Sequence, residues 1–252
     1  MAKLKPFTII HEDDSIIAVN KASGIAVTGE RWDENAPRLD LLLKNQLALK
    51  PNNDETELFV VHRIDKDTSG LVLFAKDRKT HQQLSVAFEK RQVTKTYIAV
   101  IHGRPFWPDG KTSCELPLVP DGNKKHLTII DKFHGKSSNT GFTLLFSAGN
   151  YSVVEAYPQT GRTHQIRVHL SALGFPIVCD PLYGKHSRNG TKKGVYLSSF
   201  KRNWQGNEAD ERPLLDRLGL HALRITLNEK VFEAPLPRDM AALLKQMEKC
   251  RR

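Results

Sequence analysis

The chain has 252 residues, of which 39% are hydrophobic and 8% aromatic, so it is able to form a full hydrophobic core. This composition excludes a disordered tail or a short peptide. Lys and Arg number 38 against 28 Asp and Glu, which leaves a net charge of +10 at pH 7. A surplus of this size attracts polyanions, so nucleic acid is the leading class of partner.

The cysteines and the N-terminal residues indicate the cellular setting. Cys114, Cys179 and Cys250 are far apart and have no C-x-x-C spacing or neighbouring His at zinc spacing, so we expect neither a disulfide framework nor a zinc site. The chain turns acidic at Glu12 before any apolar run, and no run approaches the roughly 18 apolar residues of a membrane span. We therefore expect a cytoplasmic protein with no membrane partner.

In chain order, the predicted elements are mostly strands. Runs rich in β-branched and aromatic residues predict strands at 7–10, 15–20, 58–64, 71–75, 96–102, 142–146, 152–157 and 224–227. Helical periodicity predicts helices at 39–47, at 78–90, from about 163, and at 240–249 behind Asp239 as an N-cap. Strands follow strands without regular crossover helices, which predicts an α+β protein with a mostly antiparallel sheet.

The chain contains no low-complexity linker, so one domain over residues 1–252 is expected. Residues 181–204 contain six Lys or Arg residues and no Asp or Glu. Lys192 and Lys193 lie within this segment and are candidates for binding phosphates, whereas an ordinary solvated loop is the alternative. The absence of coiled-coil heptads makes a monomer the expected state.

Motifs for other chemistries fail on spacing. The two Gly-Lys-Thr/Ser triplets lack the first Gly of a phosphate loop, and neither G-x-G-x-x-G nor H-E-x-x-H occurs. No metal or other cofactor is therefore expected. Asp67-Thr68-Ser69-Gly70 matches the aspartic-protease signature, but the chain contains no second copy of it and two charged residues precede it instead of an apolar strand.

Two segments contain candidate catalytic or anion-binding residues. Residues 60–74 run from an apolar stretch through a polar loop that contains Asp65 into a second apolar stretch, which presents Asp65 where a nucleophile would be placed. In the second segment, residues 159–170, Arg162 and Arg167 surround a predicted helix start and could hold a phosphate or a carboxylate. The alternatives are an Asx-turn neutralised by Arg63 in the first segment and solvent-facing arginines in the second.

The two segments together resemble the RNA pseudouridine synthases of the RluA branch. His62-Arg63-Ile64-Asp65, followed by Thr68-Ser69-Gly70, resembles one family motif, and Gly161-Arg162-Thr163-His164-Gln165-Ile166-Arg167 resembles another. Residues 180–184 and 220–222 are similar to two further blocks. The family motif N-K-P-x-G has Ala22 in place of Pro, and the S4 domain that precedes many relatives is expected to be absent.

The resemblance implies both a fold and a site. The fold is a mixed, mostly antiparallel sheet in two fused halves with a central catalytic cleft. Asp65 would be the catalytic aspartate, Tyr97 would pack on the target uracil, Arg167 would fix the aspartate and Arg63 would fill the space of the flipped nucleotide. His62, Arg162, Gln165, Lys192 and Lys193 complete the predicted RNA-binding set.

The implied reaction isomerises uridine to pseudouridine in ribosomal or transfer RNA, with RNA rather than DNA as the partner. It involves no redox change, so no cofactor is required. The carboxylate could attack C1′, attack C6, or remove a sugar proton on a glycal route. The alternative function is a catalytically silent RNA-binding protein on the same fold.

Overall fold

The structure is a computed structural model, and it describes residues 5–29, 36–49, 57–121, 127–184, 194–207 and 209–251. The strands are β1 (Phe7–Glu12), β2 (Ile16–Lys21), β3 (Phe59–Val60), β4 (Ser69–Ala75), β5 (Val93–His102), β6 (Lys111–Cys114), β7 (Leu118–Pro120), β8 (Thr128–Ile130), β9 (Thr140–Ala148), β10 (Tyr151–Pro158), β11 (Leu220–Leu227) and β12 (Lys230–Glu233). The helices are α1 (Leu39–Ala48), α2 (Arg78–Glu89), α3 (Gln165–Ala172) and α4 (Arg238–Lys249), with 3₁₀ turns at Pro108–Gly110 and Leu197–Ser199.

The chain divides into two compact units. Unit 1 consists of residues 1–95 and 221–235, and unit 2 of residues 96–220 and 236–252. The chain therefore crosses from one unit to the other three times, within β5, within β11 and after Pro235. The mixed, mostly antiparallel α+β fold predicted from the sequence is confirmed.

The sheet of unit 1 has the order β1-β2-β4-β11, with β12 paired to β11 and β3 paired to β4. The β4–β11 pair is parallel, and it aligns Ser69 with His221 and Gly70 with Ala222. All seven residues of β4 are buried. Helix α1 buries Leu39, Leu43 and Leu47 along one face, which is the periodicity that predicts it.

The sheet of unit 2 has the order β5-β10-β9-β6, and β7 and β8 form a separate hairpin. Tyr97 of β5 lies opposite Ala156 of β10. Ile166 and Leu170 of α3 pack into the core cluster of this sheet. Within the described ranges, no helix is long and apolar enough to cross a membrane.

Three details of the predicted elements are wrong. The strand predicted at 58–64 ends at Val60, because the edge of β4 beyond that point is occupied by other groups, as described below. Helix α3 begins at Gln165, since His164 is in the left-handed region with φ 55°. Helix α4 begins at Arg238 with Pro237 as its N-cap, and the Asp239 carboxylate instead pairs with Arg217 at 2.7 Å.

Candidate active site

Asp65 lies in the loop that joins β3 to β4 in unit 1. Its side chain is partly buried, and its carbonyl oxygen accepts a hydrogen bond from the Thr68 N–H at 3.1 Å. Arg63, two residues earlier, is exposed. The loop covers residues 61–68, between a two-residue strand and a wholly buried one.

Residues 21–24 hold this loop from one side. Lys21 is wholly buried, and its Nζ donates to the carbonyl oxygens of Lys66 and Ala22, both at 2.9 Å. The Gly24 N–H also donates to the Lys66 carbonyl at 2.9 Å, and the Ser23 hydroxyl donates to the Asp67 carbonyl at 2.6 Å. A buried ammonium is costly unless it is hydrogen-bonded, so these bonds tie the loop to β2. Ala22, which replaces the family proline, accepts from Lys21 through its carbonyl, and its N–H donates to the Pro6 carbonyl at 2.9 Å.

On the other side, the loop is tied to β11. The Ser69 hydroxyl lies 3.0 Å from His221 Nδ1, and His221 Nε2 lies 3.1 Å from the Ala234 carbonyl. A carbonyl only accepts, so Nε2 carries a ring proton, and in the neutral ring Nδ1 accepts from Ser69. Gly70 has φ +117°, and a Cβ there would lie 2.2 Å from the Ala222 carbonyl oxygen. The Ser-Gly pair of the motif is thus required by the close approach of β11.

His62 has a structural role in unit 1. Its Nε2 accepts a hydrogen bond from the Leu73 N–H at 3.0 Å, between the places where β11 and β3 pair with β4. Its ring stacks on Phe88 with 4.7 Å between the ring centres. Burial lowers the pKa of His62 to about 3, and the charge of Lys95 acts in the same direction. The neutral ring covers the sheet edge at the point where the predicted strand stops, and its contact with RNA stays a prediction.

In unit 2, Arg167 of α3 is bound to a carboxylate. Its Nε and Nη2 donate to Asp180 Oδ2 and Oδ1, each at 2.9 Å, and only 2% of Arg167 is exposed. Burial by itself would raise the pKa of Asp180, but the Arg167 bonds and the N–H groups of Leu182 and Tyr183 outweigh it and lower the pKa. A guanidinium has five N–H donors. The predicted pairing of Arg167 with Asp65 would use donors other than these two, and it stays a prediction.

Tyr183 covers the Arg167 guanidinium. Its ring centre lies 5.2 Å from Arg167 Cζ, a cation–π distance. Its hydroxyl accepts from the Thr128 N–H at 2.8 Å and lies 2.9 Å from His164 Nδ1. Neither Asp180 nor Tyr183 is among the predicted site residues, although both lie in the 180–184 block whose resemblance to the family could have identified them.

Gln165 is an internal brace of the second motif. It is 4% exposed; its Oε1 accepts from the Thr160 hydroxyl and the Arg162 N–H, and its Nε2 donates to Asn139 and Thr140. All four hydrogen-bonding positions of this amide are therefore used inside the unit, and the predicted contact of Gln165 with RNA stays a prediction. Arg162 is partly exposed, and its Nε donates to the Ser137 carbonyl at 3.2 Å.

Tyr97 is partly buried and packs against the core cluster that includes Ile166 and Leu170 of α3. The structure thus brings Tyr97 and the helix of Arg167 onto one core in unit 2, whereas Asp65 and Arg63 belong to unit 1. Lys192 and Lys193 lie outside the described residues. The assigned roles in catalysis and RNA binding stay predictions for all six predicted site residues of this paragraph: Arg63, Asp65, Tyr97, Arg167, Lys192 and Lys193.

Comparison with known proteins identifies the family. The family model described as RNA pseudouridylate synthase matches residues 15–172. The ribosomal large subunit pseudouridine synthase D of Borreliella burgdorferi is 34% identical over 78% of this chain and 60% of its own length, so the chain spans less than two thirds of that relative. The corresponding synthase C of Buchnera aphidicola is 36% identical over 92% of this chain and 68% of its own length.

A solved structure shows the same fold. The human RNA pseudouridylate synthase domain-containing protein 4 aligns with a TM-score of 0.72 and 24% identity, covering 95% of this chain and 92% of its own. The family match extends across the Asp67-Thr68-Ser69-Gly70 segment, which leaves the aspartic-protease alternative without support. The chain belongs to the RluA-type RNA pseudouridine synthases.

Proposed function

We propose that the protein isomerises uridine to pseudouridine in structured RNA and that Asp65 is the catalytic carboxylate. The observation that carries the proposal is the bracing of the Asp65 loop. Lys21, Ser23 and Gly24 hold it from one side, and Ser69 and Gly70 fasten it to β11 on the other. A catalytic group needs a supporting shell of this kind to stay within a fraction of an ångström of its working position.

The reaction breaks the N1–C1′ bond, turns the base and forms a C5–C1′ bond. The hydrogen on C5 is released, N1 gains a proton, and no electron leaves the substrate, so the chain needs no redox partner. Asp65 serves as the nucleophile or as the base that removes a sugar proton.

The target base has to leave its stack before Asp65 can reach it. Flipping a base costs a few kcal/mol, and two predicted contacts would offset part of that cost. The exposed Arg63 side chain would occupy the vacated space in the RNA, and the ring of Tyr97 would pack on the uracil. Asp180 would hold the Arg167 guanidinium in a fixed position, where it would serve as the positive partner of the catalytic carboxylate.

Ribosomal RNA is the substrate that we test first, because two relatives are named for the large ribosomal subunit; transfer RNA is the second. A cytoplasmic monomer that acts on RNA, and not on DNA or a membrane, belongs to the same proposal. The net charge of +10 supports a polyanionic substrate. Light scattering of the purified protein checks the monomer.

The decisive experiment is Asp65→Asn, assayed by tritium release from RNA that carries 5-tritiated uridine. The amide keeps the shape of the carboxylate but is neither a nucleophile nor a base, so we expect turnover to fall more than about 100-fold, or ~2.7 kcal/mol. Binding of the same RNA should stay within about threefold of wild type, a change of ~0.7 kcal/mol.

Asp67→Asn is the matched control, because Asp67 lies in the same loop and holds Ser23 only through its carbonyl. This variant should keep near-wild-type turnover. Loss of less than about tenfold in Asp65→Asn would disprove the assignment. A wild-type protein that binds RNA but releases no tritium would instead support the silent RNA-binding alternative.

A further inference from the structure

Unit 2 contains a cleft whose charged lining is wholly basic. It has a volume of about 430 Å³ and lies where the turn between β9 and β10 meets the residues after the 3₁₀ turn Leu197–Ser199 and the C-terminal end of α4. Five cationic side chains line it, and we call it the basic cleft: Arg104, Lys201, Arg202, Lys249 and Arg251. No Asp or Glu is among its lining residues.

These cations come from three distant parts of the sequence. Arg104 follows β5, Lys201 and Arg202 follow the 3₁₀ turn, and Lys249 and Arg251 lie at the end of α4. All five are exposed, and in the described part of the chain none of them forms an ion pair. Convergence of five unneutralised cations is electrostatically unfavourable unless an anion is bound there.

Neutralising the end of α4 explains only part of this charge. The C-terminal end of a helix carries about half a negative charge, and a Lys or Arg in the last turn complements it. Lys249 and Arg251 are placed for that role. Arg104, Lys201 and Arg202 are not on the helix, so their presence indicates a second use.

The floor of the basic cleft is well packed. Gly149, in the turn between β9 and β10, has φ +56°, and a Cβ there would lie 2.9 Å from Phe200 Cβ. Phe200 therefore packs directly on the turn, and its ring meets Tyr151 edge-on with 6.4 Å between centres. Arg251 Cζ lies 5.7 Å from the ring centre of Phe146. The backbone that presents Lys201 and Arg202 is thus anchored to the sheet.

The basic cleft is remote from the residue predicted to pack on the target base. Tyr97 and His102 lie on the same strand, five residues apart, which is about 16 Å at 3.3 Å per residue. Arg104 lies two residues further along the chain. A phosphate bound in the basic cleft is therefore not a phosphate of the nucleotide that packs on Tyr97.

We propose that the basic cleft binds the phosphate backbone of the RNA substrate at a segment away from the target uridine. Guanidinium groups bind phosphate oxygens in pairs and ammonium groups bind them as point charges, and such contacts fix the register of a nucleic acid without reading its sequence. This inference rests on the proposed function, because it assigns the site to the RNA of that reaction.

The test is the triple variant Arg104→Gln, Lys249→Gln, Arg251→Gln, with binding to a mixed-sequence RNA duplex of about 24 base pairs measured across a salt series. Each phosphate contact contributes about 0.7 to 0.9 to the slope of log K against log salt, so removing three cations should flatten the slope by about 2 to 3. At low salt, Kd should rise at least about tenfold.

The control removes three exposed positive charges elsewhere: Lys44→Gln, Lys79→Gln, Lys90→Gln. These lysines belong to α1 and α2 or directly follow α2, so the net charge falls equally. The control should keep the wild-type slope. Both variants should stay folded, and the cleft variant should lose no more than a few degrees in melting temperature, because it lacks two cations at the end of α4. Equal flattening in both variants would overturn the proposal, because it would show that the net charge of the protein alone determines the salt dependence of RNA binding.

Two further outcomes would also overturn it. An unchanged slope in the cleft variant would show that RNA does not use the basic cleft, even if the wild-type protein releases tritium. Loss of binding to phosphatidylserine vesicles, with RNA binding intact, would assign the cleft to an anionic lipid surface. Failure of the proposed function looks different, since it is an absence of tritium release from wild type whatever the salt slope.

Discussion

Gly70 is the second residue of β4 after the Asp65 loop, and it has no room for a side chain. Its φ of +117° disfavours any L residue, and a Cβ would meet the Ala222 carbonyl oxygen at 2.2 Å. That carbonyl belongs to a strand paired with β4, so it does not move without disturbing the sheet. The loop and β11 are therefore coupled through one glycine.

We predict that Gly70→Ala destabilises the protein by about 2–4 kcal/mol, from backbone strain and overpacking together. Urea unfolding measures the loss. Gly174→Ala is the matched control, because Gly174 has φ +85° but nothing within 4 Å of its Cβ position, so it reports the backbone strain alone, about 1 kcal/mol. Equal losses in the two variants would show that Ala222 imposes no constraint.

His62 should make stability depend on pH. An unfolded His takes up its proton near pH 6.5, whereas the folded protein holds the pKa of His62 at about 3. The contribution of the neutral His62 ring to the free energy of unfolding is therefore complete above pH 6.5. It is lost as pH falls from 6.5 towards 3, by up to about 1.4 kcal/mol per pH unit.

The comparison is with His62→Gln, whose side-chain oxygen accepts from Leu73 N–H without titrating. Between pH 7.5 and 5.5, wild type should lose about 1 kcal/mol more unfolding free energy than the variant. Other histidines contribute equally to both proteins and cancel in the difference. Parallel pH profiles would show that His62 is protonated normally in the fold.

At the scale of elements, α3 carries Arg167 into the core of unit 2 and Asp180 neutralises it there. Both side chains are nearly inaccessible, with 2% and 0% exposed. Removing one partner of such a pair leaves a buried charge without compensation. The pairing therefore fixes the path of residues 180–184 relative to α3.

We predict that Asp180→Asn costs about 3–5 kcal/mol in unfolding free energy. Asp239→Asn is its counterpart in the same unit, because the Arg217–Asp239 pair has similar geometry, with 20% and 36% of the side chains exposed, and should cost about 1 kcal/mol or less. The two losses are measured by urea unfolding. A small loss in Asp180→Asn would mean that Arg167 finds another carboxylate.

Element boundaries show where local sequence information is sufficient. Helices α1 and α2 are predicted to within one residue at each end, because apolar residues recur along one face. Helix α3 starts two residues later than predicted, since His164 is held left-handed where its ring nitrogen meets the Tyr183 hydroxyl. The strand predicted at 58–64 stops early because the His62 side chain takes the place of a paired backbone.

At the scale of the whole molecule, the net charge of +10 is distributed unevenly. The sequence favours the acid-free segment 181–204 as the place where positive charge collects. The structure brings Lys201 and Arg202 of that segment together with Arg104, Lys249 and Arg251. A charge count along the chain does not find this cleft, because its cations are up to 147 residues apart in the sequence.

By itself the sequence determined the fold class, most elements and the two motifs by which the family is identified, because periodicity and motif spacing are local properties of the chain. Only the tertiary structure decided that Lys21 braces the Asp65 loop, that Asp180 binds Arg167 and that His62 covers a sheet edge. These contacts join residues 11 to 45 positions apart. Their partners are set by the path of the folded chain, and many polar residues of the sequence could have served equally well.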